Sequence, residues 1–174
     1  MRALALALCA VVVRSPLVPI TGCSLARPGS AFGVNFPCSA VYDGQVDGNQ
    51  RPDGSFSMTI ETNNHKLDLF FDAVDIVSVT VHNRDDGAGS EYLGSGGGWQ
   101  LWWADNTATR ISGESQSDSF DGWTKCYESS ASTDGVYEFD APCAASAAMG
   151  VRLVQLDTSN RININEIEVF SVPL

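Results

Sequence analysis

The chain has 174 residues, enough for one domain with a core of its own. Its formal net charge is −11, and every acidic residue falls at or after Asp43. Such a surface repels nucleic-acid phosphates and anionic lipid headgroups, which excludes direct binding to either. It suits cations, neutral ligands and solubility.

The N-terminus, MRALALALCAVVV, places Arg2 ahead of an apolar run from Ala3 to Val13 that Arg14, Ser15 and Pro16 end. The run is too short to span a bilayer and reads as a secretory signal, with residues 1–22 as the leader and 23–174 as one domain. LVPITGC (17–23) also fits a lipoprotein signal, which would anchor the chain through Cys23. The expected location is therefore extracellular, secreted or lipid-anchored. Of five cysteines, Cys9 lies in the leader, and Cys23, Cys38, Cys126 and Cys143 suit an oxidising compartment. Four cysteines allow three pairings, of which Cys23–Cys38 with Cys126–Cys143 is the simplest. Removing Arg2 and Arg14 with the leader takes the net charge to −13.

The next element is a loop, VYDGQVDGN (41–49). Oxygen side chains at Asp43, Gln45 and Asp47, followed by Gly48, form the first half of an EF-hand calcium loop. Its twelfth position, however, is Gly54 where a bidentate Glu is required, and the next segment alternates like a strand. If the loop holds calcium, the closing carboxylate comes from elsewhere.

Strand patterns then recur: FSMTIE (56–61), KLDLFF (66–71), DIVSVTVH (75–82), WQLWWA (99–104), GVYEF (135–139), VRLVQL (151–156) and INI…IEVF (162–170). Gly, Asn, Asp and Ser clusters separate them, and no stretch keeps helical periodicity for three turns. Short strands with frequent turn signals predict an all-β antiparallel sandwich or jelly roll. In WQLWWA, Trp99, Leu101 and Trp103 share one face, with Trp102 on the other. In the last strand Ile162 and Ile164 differ in parity from Ile167 and Val169, so the apolar face slips across Asn165-Glu166. A bulge or sharp bend would restore that face; the alternative is a strand buried on both faces at that point.

Three of these islands, VYDGQVDGN (41–49), DIVSVTVHNRDD (75–86) and VRLVQLDTSNRININEIEVF (151–170), resemble in order and spacing the F-type, fucose-binding lectins. The resemblance spans about residues 39–170. It implies the galactose-binding-like, discoidin-type jelly-roll β-sandwich and a Cys126–Cys143 disulfide. It further implies a structural calcium held by Gly44, Asp47, Asn49, Ser55 or Ser57, Asn165 and Glu166. Asn165 stands where the family has Cys, and Glu166 supplies the missing carboxylate.

For sugar, the resemblance points to the Arg84-Asp85-Asp86 turn. Glu91 stands where the family has a base, and His65 lies six residues beyond the position of the family histidine. Arg84, Asp86, Glu91 and His65, with Trp102 as a stacking platform, are the carbohydrate candidates. The acidic replacement argues against strict fucose specificity. Glycans or glycoproteins are the expected partners, and self-association is compatible with the sequence. A protein-interaction module that has lost sugar binding is the alternative. No hydrolase, phosphate-loop or zinc signature occurs, so no enzyme is expected.

Overall fold

The computed structural model describes residues 15–25, 38–44, 58–59, 65–83, 93, 97–105, 120–130, 138–156 and 162–173. Among the described residues seven strands form one antiparallel sheet: β1 (Gly22–Leu25), β2 (Met58–Thr59), β3 (His65–Asn83), β4 (Trp99–Ala104), β5 (Thr124–Ser129), β6 (Glu138–Gln155) and β7 (Asn163–Ser171). The order is β2-β7-β3-β6-β4-β5, and β1 pairs with the first residues of β3.

The long β3–β6 ribbon organises the fold. Its register shifts three times between Phe70 and Ser78, and this is where two segments expected as separate strands join into one. At the bend Ala147 has φ 51°, and its N–H donates to Asp75 Oδ1 at 2.8 Å. Bulges of this kind sharpen local twist and let a strand turn a corner. One half of the ribbon pairs with β1 and β4, the other with β7. Residues of both halves share one core: Leu67, Leu69, Leu101, Val151 and Leu153 from the first, and Val79, Val81, Ala141, Ile167 and Val169 from the second. The halves therefore face each other as the two layers of a sandwich.

Aromatic contacts locate the open end. Phe139, near the start of β6, meets Trp99 edge-on at 5.1 Å, while Trp99 pairs with Gln155 at the other end of β6. Both ends of the ribbon thus come together opposite the bend. Gly98 lies there with φ 89°, and a Cβ on it would sit 2.2 Å from the carbonyl of Ser129. Only glycine fits that approach.

The Cys126–Cys143 disulfide joins β5 to β6 across the layers, with Cα atoms 5.0 Å apart at a sequence separation of 17. Closing a loop of that length stabilises by about 3 kcal/mol. Replacing both cysteines by Ser should cost about that amount in denaturant unfolding.

Residues 16–21 belong to the packed structure. Val18 is in the core at 5% exposure, its N–H bonds Val169 O at 2.8 Å, and Ser171 N–H bonds Pro16 O at 2.9 Å. Burying one Val side chain contributes about 1.5–3 kcal/mol. A chain begun at Cys23 should therefore unfold at lower denaturant than one begun at Ser15, by about 2 kcal/mol or more.

The outer face of the first layer is also covered. Arg152 and Asp68, each 1% exposed, form a bidentate pair at 2.7 and 2.8 Å. Trp123 lies over the Arg152 guanidinium at 4.3 Å, and Phe120 lies over Lys66 at 4.5 Å.

Candidate functional site

The break in strand phase near the end of the chain is a bulge. β7 pairs Glu166 with His82 and Ile164 with Asn83, which leaves Asn165 as an extra residue. Ile162, Ile164, Ile167 and Val169 consequently all reach the core, each at most 1% exposed. Asn165 is itself buried and donates Nδ2–H to the carbonyl of Asn83 at 3.0 Å. The bulge is thereby tied to the end of β3.

Glu166 meets the opening loop. Its Oε1 accepts the N–H of Gly44 at 2.9 Å across 122 residues of sequence. Gly44 adopts φ 81°, a left-handed conformation that favours glycine. Glu166 is only 3% exposed, and its Oε2 is buried with no hydrogen-bond partner. Burial pushes the carboxyl up to about 7. The N–H groups of Gly44 and Asp43 pull it down, while the charges of Asp43 and Glu168 push it up.

A buried carboxylate with one bare oxygen is costly unless a proton or a cation meets it. A hard divalent cation fits that oxygen and a loop of carbonyls and carboxylates. Of the expected calcium ligands, the structure brings together Gly44, Asn165 and Glu166. Asp47, Asn49, Ser55 and Ser57 lie outside the described residues. Among the described residues, no three His, Cys, Asp or Glu side chains gather around a metal-sized point.

The carbohydrate candidates divide. Arg84, Asp86 and Glu91 are outside the described residues, but Asn83, which directly precedes Arg84, ends β3 at the open end. His65 begins β3 at that same end, its backbone opposite Gln155. Trp102 is elsewhere, opposite Arg152 on the outer face of the first layer, and half-buried. It stacks on Phe120 at 4.5 Å and donates its indole N–H to Gln100 Oε1 at 3.0 Å. The fold thus separates Trp102 from the strand ends where Asn83 and His65 lie. Cys126 and Cys143 are paired as expected, and Cys23 is disulfide-bonded.

Sequence reasoning missed a polar groove on the outer face of the second layer, lined by His82, Glu138, Asp140 and Glu168 among others. Its trace in the sequence is the alternation Ser78, Thr80, His82 between the core residues Val79 and Val81.

Neither a family model nor a curated protein matches the sequence. Solved structures do. An F5/8 type C domain from Bacteroides fragilis superposes with a TM-score of 0.59 at 10% identity, covering 88% of this chain and 92% of that one. The chain has the galactose-binding-like, discoidin-type fold. A fucose-binding module from Streptococcus pneumoniae shares it, with a TM-score of 0.60, 9% identity and coverage of 87% and 94%. So does the lectin domain of lectinolysin, solved with Lewis B antigen, with a TM-score of 0.59, 14% identity and coverage of 87% and 93%. In this galactose-binding-like sandwich the bulged last strand and the end of β3 meet at the open end, joined by the Asn165–Asn83 hydrogen bond.

Proposed function

We propose that the protein is a secreted, calcium-stabilised carbohydrate-binding module whose specificity is not strictly for fucose. The observation that carries the calcium is the bare, buried Oε2 of Glu166 beside the Gly44 turn. Asp47, Asn49 and Ser55 would complete its shell. The sugar would meet Arg84, Asp86 and Glu91 next to the strand end that Asn165 holds. Fucose- and Lewis B-binding modules of the same fold support that reading.

Bound calcium would neutralise the Glu166 carboxylate and join the start of the domain to its last strand. Asn165 would then hold the end of β3 in place, and Arg84 would donate hydrogen bonds to sugar hydroxyls while Asp86 and Glu91 accept them. Lectins of this kind bind without chemistry, and no catalytic role is assigned to any residue.

A second reading is favoured by Glu91, an acid where the resemblance calls for a base. It is an adhesion or protein-interaction module on the same fold. Capture of cell-surface glycoproteins before and after glycosidase treatment separates the two. Carbohydrate binding requires that glycosidases abolish capture and that Arg84→Ala weaken it at least tenfold. Capture that survives deglycosylation supports the protein-interaction reading instead.

A further inference from the structure

We propose that the outer face of the second layer carries a separate groove for a sugar bearing a free, protonated amine. The groove is open, of about 620 Å³, and lined by Ser15, Ser78, Thr80, His82, Glu138, Asp140, Glu168 and Phe170. That volume falls within the ~300–1,000 Å³ range of small-molecule sites. The strand register explains how these residues gather. Across the sheet His82 stands opposite Glu138, Thr80 stands between Asp140 and Glu168, and Ser78 pairs with Phe170.

The lining has the parts of a saccharide site. Phe170 is half-exposed and offers a ring against which the apolar face of a pyranose can rest. Ser78 provides a hydroxyl that both donates and accepts, and Thr80, whose proton goes to Asp140, an oxygen that accepts. Two of the three carboxylates are fixed in place. Glu168 Oε2 lies 2.9 Å from His82 Nε2, and Asp140 Oδ1 accepts the Thr80 hydroxyl. His82 is 8% exposed, so the partner that orients Glu168 is itself held by packing.

Charge selects the occupant. Three carboxylates line the groove, and among the described residues lining it there is no Lys or Arg. An acidic sugar would meet like charge. A neutral sugar would leave much of that negative field unanswered. A primary ammonium would make charge-assisted hydrogen bonds to Glu138 and Asp140, with its ring hydroxyls facing Ser78 and Thr80. The groove lies on a sheet face and draws on none of the residues assigned to the Arg84 turn, so it stands apart from the reading above. If both sites are occupied by one polymeric glycan, binding gains from effective concentration.

The test is amide NMR of the full chain titrated with a glucosamine trimer and, in parallel, with its fully N-acetylated counterpart and a tetralysine peptide. The free-amine trimer should shift the amides of Thr80, His82, Glu138 and Phe170, and the N-acetylated trimer should bind at least tenfold more weakly. Glu138→Gln with Asp140→Asn, both on exposed side chains, should abolish the response with Tm unchanged. Arg84→Ala should leave the response intact. Groove amides that stay still at millimolar free-amine trimer overturn the proposal, as do equal responses to the two trimers. Equally tight binding of tetralysine at the same amides also overturns it, because it marks a general cation surface. If shifts appear only near Asn83, the groove fails and the carbohydrate reading stands.

Discussion

Asp68→Ala should destabilise the protein by about 3–5 kcal/mol, the range expected when one partner of a buried ion pair is removed. Arg152 is 1% exposed in the intact protein, and the substitution would leave its charge between Phe120 and Trp123 with both bonds to the Asp68 carboxylate gone. For a chain of this size each kcal/mol shifts Tm by roughly 2–4 °C, so a fall of at least 6 °C is expected. Denaturant unfolding with the disulfides intact measures it directly. Asp68→Leu combined with Arg152→Met should recover most of the loss, because replacing both charges by apolar groups is often neutral. A single-variant loss under 1 kcal/mol would show that water reaches the pair.

Calcium should have an effect of comparable size. A ligand that binds only the folded state at about a thousandfold excess over its Kd adds ~4 kcal/mol. Chelation should therefore lower Tm by roughly 8–16 °C. Glu166→Ala should remove the response, because the remaining shell loses the carboxylate that closes it. Without a cation the pH dependence has a definite sign. Burial raises Glu166 from its ordinary 4.5 to about 7 in the folded state, so folding favours its protonated form. That contribution is complete below pH 4.5 and is lost as pH rises through about 7. In excess calcium the cation displaces the proton, and stability should stay nearly constant over the same window. Calorimetric scans at pH 5 and pH 8, each with calcium and with chelator, distinguish the two regimes.

Legibility in the sequence followed how far each signal depended on neighbours. WQLWWA read correctly as β4, with Trp99 and Leu101 in the core and Trp102 on the other face, because strict alternation records a one-sided environment. The slip at Asn165-Glu166 was visible for the same reason, since a bulge leaves a parity break that no tertiary information is needed to see. The middle of β6 was not visible. DAPCAASAAMG (140–150) is rich in Ala and holds Pro and Gly, which are poor strand formers, and only pairing with β3 makes it a strand. β5 was missed because TKCYES lies at the sheet edge with mixed burial and no clear alternation. β1 has four residues, too few to show a period.

The site was legible in parts. The opening loop and Glu166 are 122 residues apart at Gly44, and only the resemblance to calcium-holding lectins suggested that they meet. Trp102 has the composition of a sugar platform, but its position depends on Phe120, which arrives from a separate segment to stack on it. The groove around His82 escaped notice because its carboxylates come from two further strands whose register no local pattern encodes.

The most direct measurement is binding of the full chain to a broad array of immobilised glycans, once in calcium and once in chelator. The protein should bind a limited set of glycans in calcium and bind them at least tenfold more weakly in chelator. Silence across all glycan classes at high protein density, in a protein whose Tm still responds to calcium, would contradict the carbohydrate reading.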